Sequence, residues 1–274
     1  MEAARVRAVV AYHGGHYQGF QRLGGRAAAP TVQGALEEAL TSIAGGAVAV
    51  IGAGRTDAGV HATGQVIAFD LRWKHPLGAL LRAVNAALPP DIALQQVAPA
   101  APDFHPRYDA TSRVYQYRVY VAETRQPLLD GVAWGLRPPE GGLNLPAMNA
   151  AANVLIGTHN FASFGNPPLG ERGTTVREVF RAGWEPAPAQ FGTPCYLFEI
   201  AANAFLYRMV RTLVGELVQI GLGRGTVTAF TELFRAQDRA RARHLAPPNG
   251  LTLTGVTFAE DEHQAGRRPP GHET

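Results

Sequence analysis

The chain has 274 residues, 46% of them hydrophobic, enough to bury one large core or two modest ones. One cysteine, Cys195, excludes an intrachain disulfide and leaves no thiol pair for a cysteine-based zinc site. The formal charge of +3 is mildly basic, so it permits a nucleic-acid partner without demanding one. Of the 25 basic residues only Lys74 is a lysine. Arginine suits bidentate phosphate contacts and stacking on bases, although GC-rich coding produces the same bias.

In chain order, the alternating, valine-rich Arg5–Tyr12 predicts a strand, and Thr31–Ile43 a helix with Thr31 as its N-cap. Ala47–Ala53 and Gln65–Leu71 read as strands flanking a glycine-rich loop. Pro76–Leu88 reads as a helix ended by Pro89-Pro90, and Asp91–Val97 as a further strand. This order is βαββαβ, a ferredoxin-like pattern.

A second half repeats that order with longer connections. Arg113–Val121 is a strand, Leu145–Ile156 a helix, and Thr174–Trp184 and Cys195–Ala202 two strands. Phe205–Ile220 is a strongly amphipathic helix, followed by a short helix over Thr228–Arg235 and a closing strand over Leu251–Phe258. Periodicity alone allows the halves to share one sheet or to pack as two. The Pro- and Ala-rich Ala98–Pro106 predicts a boundary between an N-terminal half, 1–104, and a C-terminal half, 105–263; residues 264–274 read as a disordered tail. The N-terminus runs straight into a strand without the pattern of a signal peptide, and no apolar run reaches the ~20 residues needed to span a bilayer, so a cytoplasmic setting is expected.

Chemistry concentrates in the loop Gly54-Arg55-Thr56-Asp57-Ala58-Gly59-Val60-His61. A carboxylate among glycines, which allow tight turns and close approach of a substrate, can serve as nucleophile or base. An aspartate that merely stabilises a turn has the same local pattern. Arg55, Thr56 and His61 add more polar functionality than a hairpin needs.

A nucleophilic carboxylate must stay ionised beside a desolvated sugar, and burial alone would raise its pKa, so a neighbouring cation is expected. The best source is the helix predicted to begin at Asn203, where Arg208, Arg211 and Gly215 share a face opposite the apolar stripe. Gly215 in mid-helix costs about 1 kcal/mol relative to alanine, which points to close approach of another element. Two solvated arginines would look the same by pattern.

Metal hydrolysis and nucleotide binding are disfavoured. The nine histidines form no H-x-x-x-H or H-E-x-x-H spacing. Gly221-Leu222-Gly223-Arg224-Gly225 follows a helix, with the wrong spacing for a dinucleotide fingerprint.

The loop, together with Asn203-Ala204-Phe205-Leu206-Tyr207-Arg208-Met209-Val210-Arg211, closely resembles the tRNA pseudouridine synthase A family. Further landmarks follow in order along the chain: Tyr12-His13-Gly14, Tyr17–Gln21, Thr31-Val32-Gln33, Phe104–Arg107, Ser112–Tyr117 and Ala246–Leu251. The resemblance implies an α+β pseudouridine synthase fold of two ferredoxin-like halves sharing a continuous mixed or antiparallel sheet, with helices packed on one side and a catalytic cleft between the halves. It implies Asp57 as the catalytic aspartate, Arg211 as its partner and Tyr115 against the target base, with Arg55, Leu251 and Leu253 forming the pocket. It also implies no metal and no cofactor, a homodimer, and a tRNA substrate modified at positions 38 to 40 of the anticodon stem-loop.

For substrate grip, Thr56, His61 and Arg208 lie beside these groups. The densest basic stretch, Arg235–His244, offers Arg239, Arg241 and Arg243 to phosphate, while His13, His16, Arg22 and Arg26 add to a rim. A solvated surface explains each of these equally well. Two other readings keep the same residues: an RNA-binding module without catalysis, and a base-releasing enzyme.

Overall fold

The computed structural model describes residues 2–22, 30–137, 142–167 and 173–259. In chain order these form β1 (Ala4–Tyr12), α1 (Val32–Ala44), β2 (Ile51–Gly52), β3 (His61–Leu71), α2 (Leu77–Ala87), β4 (Ile92–Pro99), β5 (Ala110–Val121), β6 (Trp134–Leu136), α3 (Leu145–Asn153), β7 (Gly157–Asn160), β8 (Val176–Gln190), β9 (Thr193–Ala202), α4 (Met209–Gly221), α5 (Val227–Ala236) and β10 (Leu251–Phe258). Arg26 and the expected tail at 264–274 lie outside the described residues.

One sheet runs through the molecule in the order β4-β1-β3-β10-β5-β9-β8-β7, with β2 on β3 and β6 on β5. The first half therefore reads β4-β1-β3-β2 and the second β10-β5-β9-β8, the same ferredoxin-like order twice. The halves are joined by β3 and β10, which run parallel for two residue pairs, Thr252 with His61 and Leu253 with Ala62. The continuous mixed sheet thus settles the choice that periodicity left open.

Alternation decides which face is covered. Val6, Ala8, Val10 and Tyr12 of β1 and Tyr115, Tyr117 and Val119 of β5 point into one large core, to which all five helices contribute. Thr31 caps α1 as expected, its hydroxyl accepting from Gly34 N at 3.2 Å. Among the described residues no helix is long and apolar enough to cross a membrane.

β3 and β5 begin four and three residues earlier than expected and α3 ends three residues sooner, and three further elements differ for an identifiable local reason. The strand over Ala47–Ala53 shrinks to two residues because the N–H groups of Val48 and Val50 donate to Thr41 Oγ1 and Glu37 Oε1 of α1 instead of to a neighbouring strand. β8 continues past Trp184 through two prolines, since beyond Val179 no strand among the described residues pairs with its outer side and proline removes no ladder hydrogen bond there. The helix expected from Asn203 or Phe205 starts only at Met209. Asn203 is tied to Glu178 through both its backbone N–H and its side-chain oxygen, Tyr207 bridges to Asn166, and Arg208 adopts a left-handed φ of 60°. The short β6 and β7 carry no sequence pattern that announces them.

Candidate active site

Asp57 sits in the connection between β2 and β3, beside the seam of the two halves. The base of this loop is tied down by Ala53 N donating to Val66 O and by Gln65 Nε2 donating to Gly54 O, at 2.8 and 2.9 Å. The hydroxyl of Thr56 bonds that of Tyr12 at 2.8 Å. Burial, opposed by bonds to Thr56 and Gln65, pushes the Tyr12 phenol up to about 12, so it stays a neutral partner at physiological pH. Gly59 turns with a φ of +79°, and a Cβ there would press on Pro248, so this corner requires glycine.

The expected cation arrives from 154 residues away. Arg211 Nη1 donates to Asp57 Oδ2 at 3.0 Å, and the two side chains are 11% and 21% exposed. Arg211 is the third residue of α4 and is held a second time, Nε donating to Ala246 O at 2.9 Å. Ala246 N returns a bond to Arg211 O at 3.0 Å. The segment 242–250 is therefore a strap lying along α4, and Gly215 shows why it can: a Cβ there would collide with the His244 carbonyl. Glu216 secures the same strap by accepting from the N–H groups of Arg243 and His244.

Tyr115 stands on β5 with its ring 9% exposed and edge-on to Phe205, centroids 5.1 Å apart. Burial, then the neighbouring Tyr12 and the charge of Asp57, pushes its phenol well above the usual range, with Arg113 opposing. Together the three groups form a half-buried carboxylate, its guanidinium partner and a neutral aromatic side chain. Such a set can hold an ionised nucleophile next to a flat apolar base.

The other expected residues divide. Leu251 and Leu253 are buried on β10 opposite Tyr117 and Tyr115, where they form the wall behind the tyrosines. His61 is buried, with both ring nitrogens bonded to backbone groups of Gly14 and Asn249. Arg55 is exposed in the loop, and Arg208, no longer helical, lies exposed with its guanidinium 4.9 Å from the ring centre of Tyr207. Arg208 thus does not share a helical face with Arg211. Arg22 is exposed and pairs with Glu37 at 3.2 Å. Arg239 turns inward, donating to Ala242 O and Thr212 Oγ1, whereas Arg241 and Arg243 are exposed. A separate cavity of about 520 Å³ lies on the sheet face opposite the helices, lined by His13, Asp91, Gln116 and Arg118 among others. Tyr12 and His61 also line it, whereas Asp57 and Arg211 do not.

Arg113 was not singled out by sequence reasoning. Its guanidinium donates to four carbonyls, those of Ala53, Arg107, Ala110 and Asn203, so it ties the base of the Asp57 loop to the segment leading into α4. Burial pulls its pKa below the usual value, opposed by Tyr115 and reinforced by Arg107. The signal was present: alternation puts Arg113 on the same face of β5 as Tyr115 and Tyr117, where an arginine must find buried acceptors. Tyr12 carries a similar signal, a phenol ending the apolar face of β1.

Two ferredoxin-like halves on one sheet, with a paired aspartate at their seam, define the class, and the family follows from comparison. The chain belongs to the tRNA pseudouridine synthase family, whose model matches residues 8–109 and 151–259. It is 42% identical over 233 residues to a tRNA pseudouridine synthase A of Chloroflexus aurantiacus, covering 83% of this chain and 80% of that one. Similar proteins of the same name occur in Neisseria meningitidis serogroup C, at 39% identity over 92% of this chain and 91% of the relative, and in Moorella thermoacetica, at 38% over 92% and 99%. The chain is accordingly an isomerase that makes pseudouridine, and its substrate is tRNA.

Proposed function

We propose that the chain converts uridine to pseudouridine in the anticodon stem-loop of tRNA, with Asp57 as the catalytic carboxylate, Arg211 as its counter-ion and Tyr115 against the target base. The ion pair between Asp57 and Arg211 carries this reading, because it supplies the charge that a desolvated carboxylate needs. The reaction breaks the bond from uracil N1 to C1′ of the ribose, rotates the base and joins its C5 to C1′; the C5 proton leaves and N1 gains one. Nothing else enters, so the balance requires neither oxidant nor cofactor. Asp57 serves either by attacking C1′ or by assisting elimination to a glycal.

The base leaves its stack before this chemistry, at a cost of a few kcal/mol. Stacking on Tyr115, worth about 1–3 kcal/mol, offsets part of that cost. On this reading Arg55 and Thr56 of the loop, with Arg208, line the approach, and Leu251 and Leu253 stand behind the base. Arg22, Arg239, Arg241 and Arg243 are assigned to the phosphate-facing rim, where Arg22, Arg241 and Arg243 are exposed and Arg239 is only partly so. A homodimer acting on tRNA in the cytoplasm completes the reading.

The deciding experiment is incubation of the protein with unmodified tRNA followed by mapping of pseudouridine. Modification confined to the anticodon stem-loop is the expected result. Modification elsewhere in the tRNA overturns the assigned target, and free uracil in solution overturns isomerisation by this site.

A further inference from the structure

The seam between the halves is only two residue pairs long, and His61 is one of its four members. It is also the first residue after the loop that carries Asp57. Its ring is buried and held from both sides: Nδ1 accepts from Gly14 N at 3.0 Å, and Nε2 meets Asn249 O at 3.1 Å. A backbone amide only donates and a carbonyl only accepts, so a single form satisfies both, the neutral ring protonated on Nε2.

The far partner in this arrangement is the strap at 242–250. At one end Ala246 makes two hydrogen bonds to Arg211; further along, Pro248 packs near Gly59 in the Asp57 loop, and Asn249 receives the His61 proton. Asn249 is itself anchored, its side chain donating to the carbonyls of Asp130 and Ala133 at 2.6 and 2.8 Å. The strap also accepts from Tyr117 through Pro247 O. One short segment therefore touches the guanidinium on one side and the catalytic loop on the other, and His61 bolts the loop to it.

We propose that His61 is a positioning residue whose neutral ring sets the separation between the Asp57 loop and the strap that holds Arg211, and that it does not grip RNA. This rests on the assignment of Asp57 and Arg211 made above. Charging the ring places an N–H against the N–H of Gly14, which breaks one of the two bonds and loosens the loop. Burial, then the neighbouring His13, draws the ring's pKa below 6.5 against the backbone groups of Asn249 and Gly131, which favour the charged form, so the neutral form prevails at neutral pH. The titratable group against the ring is His13, with ring centres 4.4 Å apart, while Asp91 and Arg118 line the same cavity. Asp130 lies behind Asn249 with its carboxylate engaged by Tyr120 and Arg125, and the strap residues in contact carry no charge.

The test uses the full chain with tRNA and the variants His61→Asn, His61→Gln and His61→Ala. Asparagine places an acceptor near the Nδ1 position and glutamine a donor near the Nε2 position, so each keeps one of the two bonds. The expected result is a kcat lowered about 10- to 100-fold in His61→Ala, since small misplacement of reacting groups is costly, with KM and tRNA affinity within about twofold. His61→Asn and His61→Gln recover part of the loss. A raised KM at unchanged kcat assigns His61 to RNA contact and overturns the proposal, as does equal loss in all three variants.

A wild-type measurement stands beside these in case a variant does not fold: nitrogen NMR of the His61 ring across pH. Protonation on Nε2 at neutral pH, with kcat falling as the ring charges, supports the proposal; a ring that titrates without effect on kcat overturns it. Asp57→Asn run in parallel separates the two readings. An active Asp57→Asn defeats the catalytic assignment, while an inactive one beside an undisturbed His61→Ala defeats only the positioning role.

Discussion

The two halves share a strand order but treat one connection in opposite ways. In the second half β8 passes to β9 through a two-residue turn, Phe191 and Gly192, both with positive φ, and Gln190 pairs directly with Thr193. In the first half the equivalent step, from β2 to β3, is the loop at 53–60 with Asp57 at its turn. There the strand before the loop is only two residues long, because α1 side chains take the N–H groups of Val48 and Val50. A ferredoxin-like half is thus indifferent to what its hairpin carries. The proposed chemistry is assigned to the half whose loop is lengthened and secured by groups from the other half, which supplies Arg211, Arg113 and the strap.

The comparison breaks first at Asp57. Asp57→Asn is expected to lower single-turnover pseudouridine formation by roughly three orders of magnitude or more, with tRNA affinity kept within several-fold. Near-normal turnover would show that the loop is no more catalytic than its counterpart. Arg211→Ala comes next, with a loss of about 100-fold in rate from the missing electrostatic partner. An unchanged rate there would mean that the second half contributes packing alone.

Smaller effects sharpen the picture. Tyr115→Phe is expected to keep most of the activity and Tyr115→Ala to lose about tenfold or more, as stacking worth about 1–3 kcal/mol requires; equal loss in both would shift the role to the hydroxyl. Replacing Arg239, Arg241 and Arg243 together with alanine is expected to flatten the salt dependence of tRNA binding, by about 0.7–0.9 in slope for each phosphate no longer neutralised. Because Arg239 spends its guanidinium on inward bonds, the change expected is nearer that of two phosphates than of three. An unchanged slope would remove this stretch from the RNA-facing rim. Phe191→Ser, at the exposed tip of the short hairpin, is expected to change neither rate nor affinity, with a stability change within about 0.5 kcal/mol. A large loss of activity there would give the second hairpin a function of its own.

Much of this was legible in the sequence because it depends on local pattern. Alternation and amphipathicity report the face of a strand or helix directly, so β1, α1, β5 and β10 follow closely from their residues, and the Thr31 cap follows from its hydroxyl. The mid-helix Gly215 announced a close approach, and the need of a buried carboxylate for a cation announced the pairing of Asp57 with an arginine of α4. Where the expectations slipped, a distant group had taken over a local hydrogen bond. Glu37 and Thr41 ended the strand before Asp57, and Glu178 and Asn166 delayed α4 past Arg208.

By itself the sequence determined the inventory of elements, their repeated order and the loop in which a lone carboxylate is displayed, because each of these is fixed by propensity and period within a dozen residues. Only the tertiary structure decided that Arg208 leaves the helix and lies over Tyr207, that Arg239 turns inward, and that Arg113 and His61 spend their polar atoms on backbone groups. The physical reason is one of partners. A charged or polar side chain acquires its role from the groups that satisfy it, and here those groups lie up to 188 residues away along the chain.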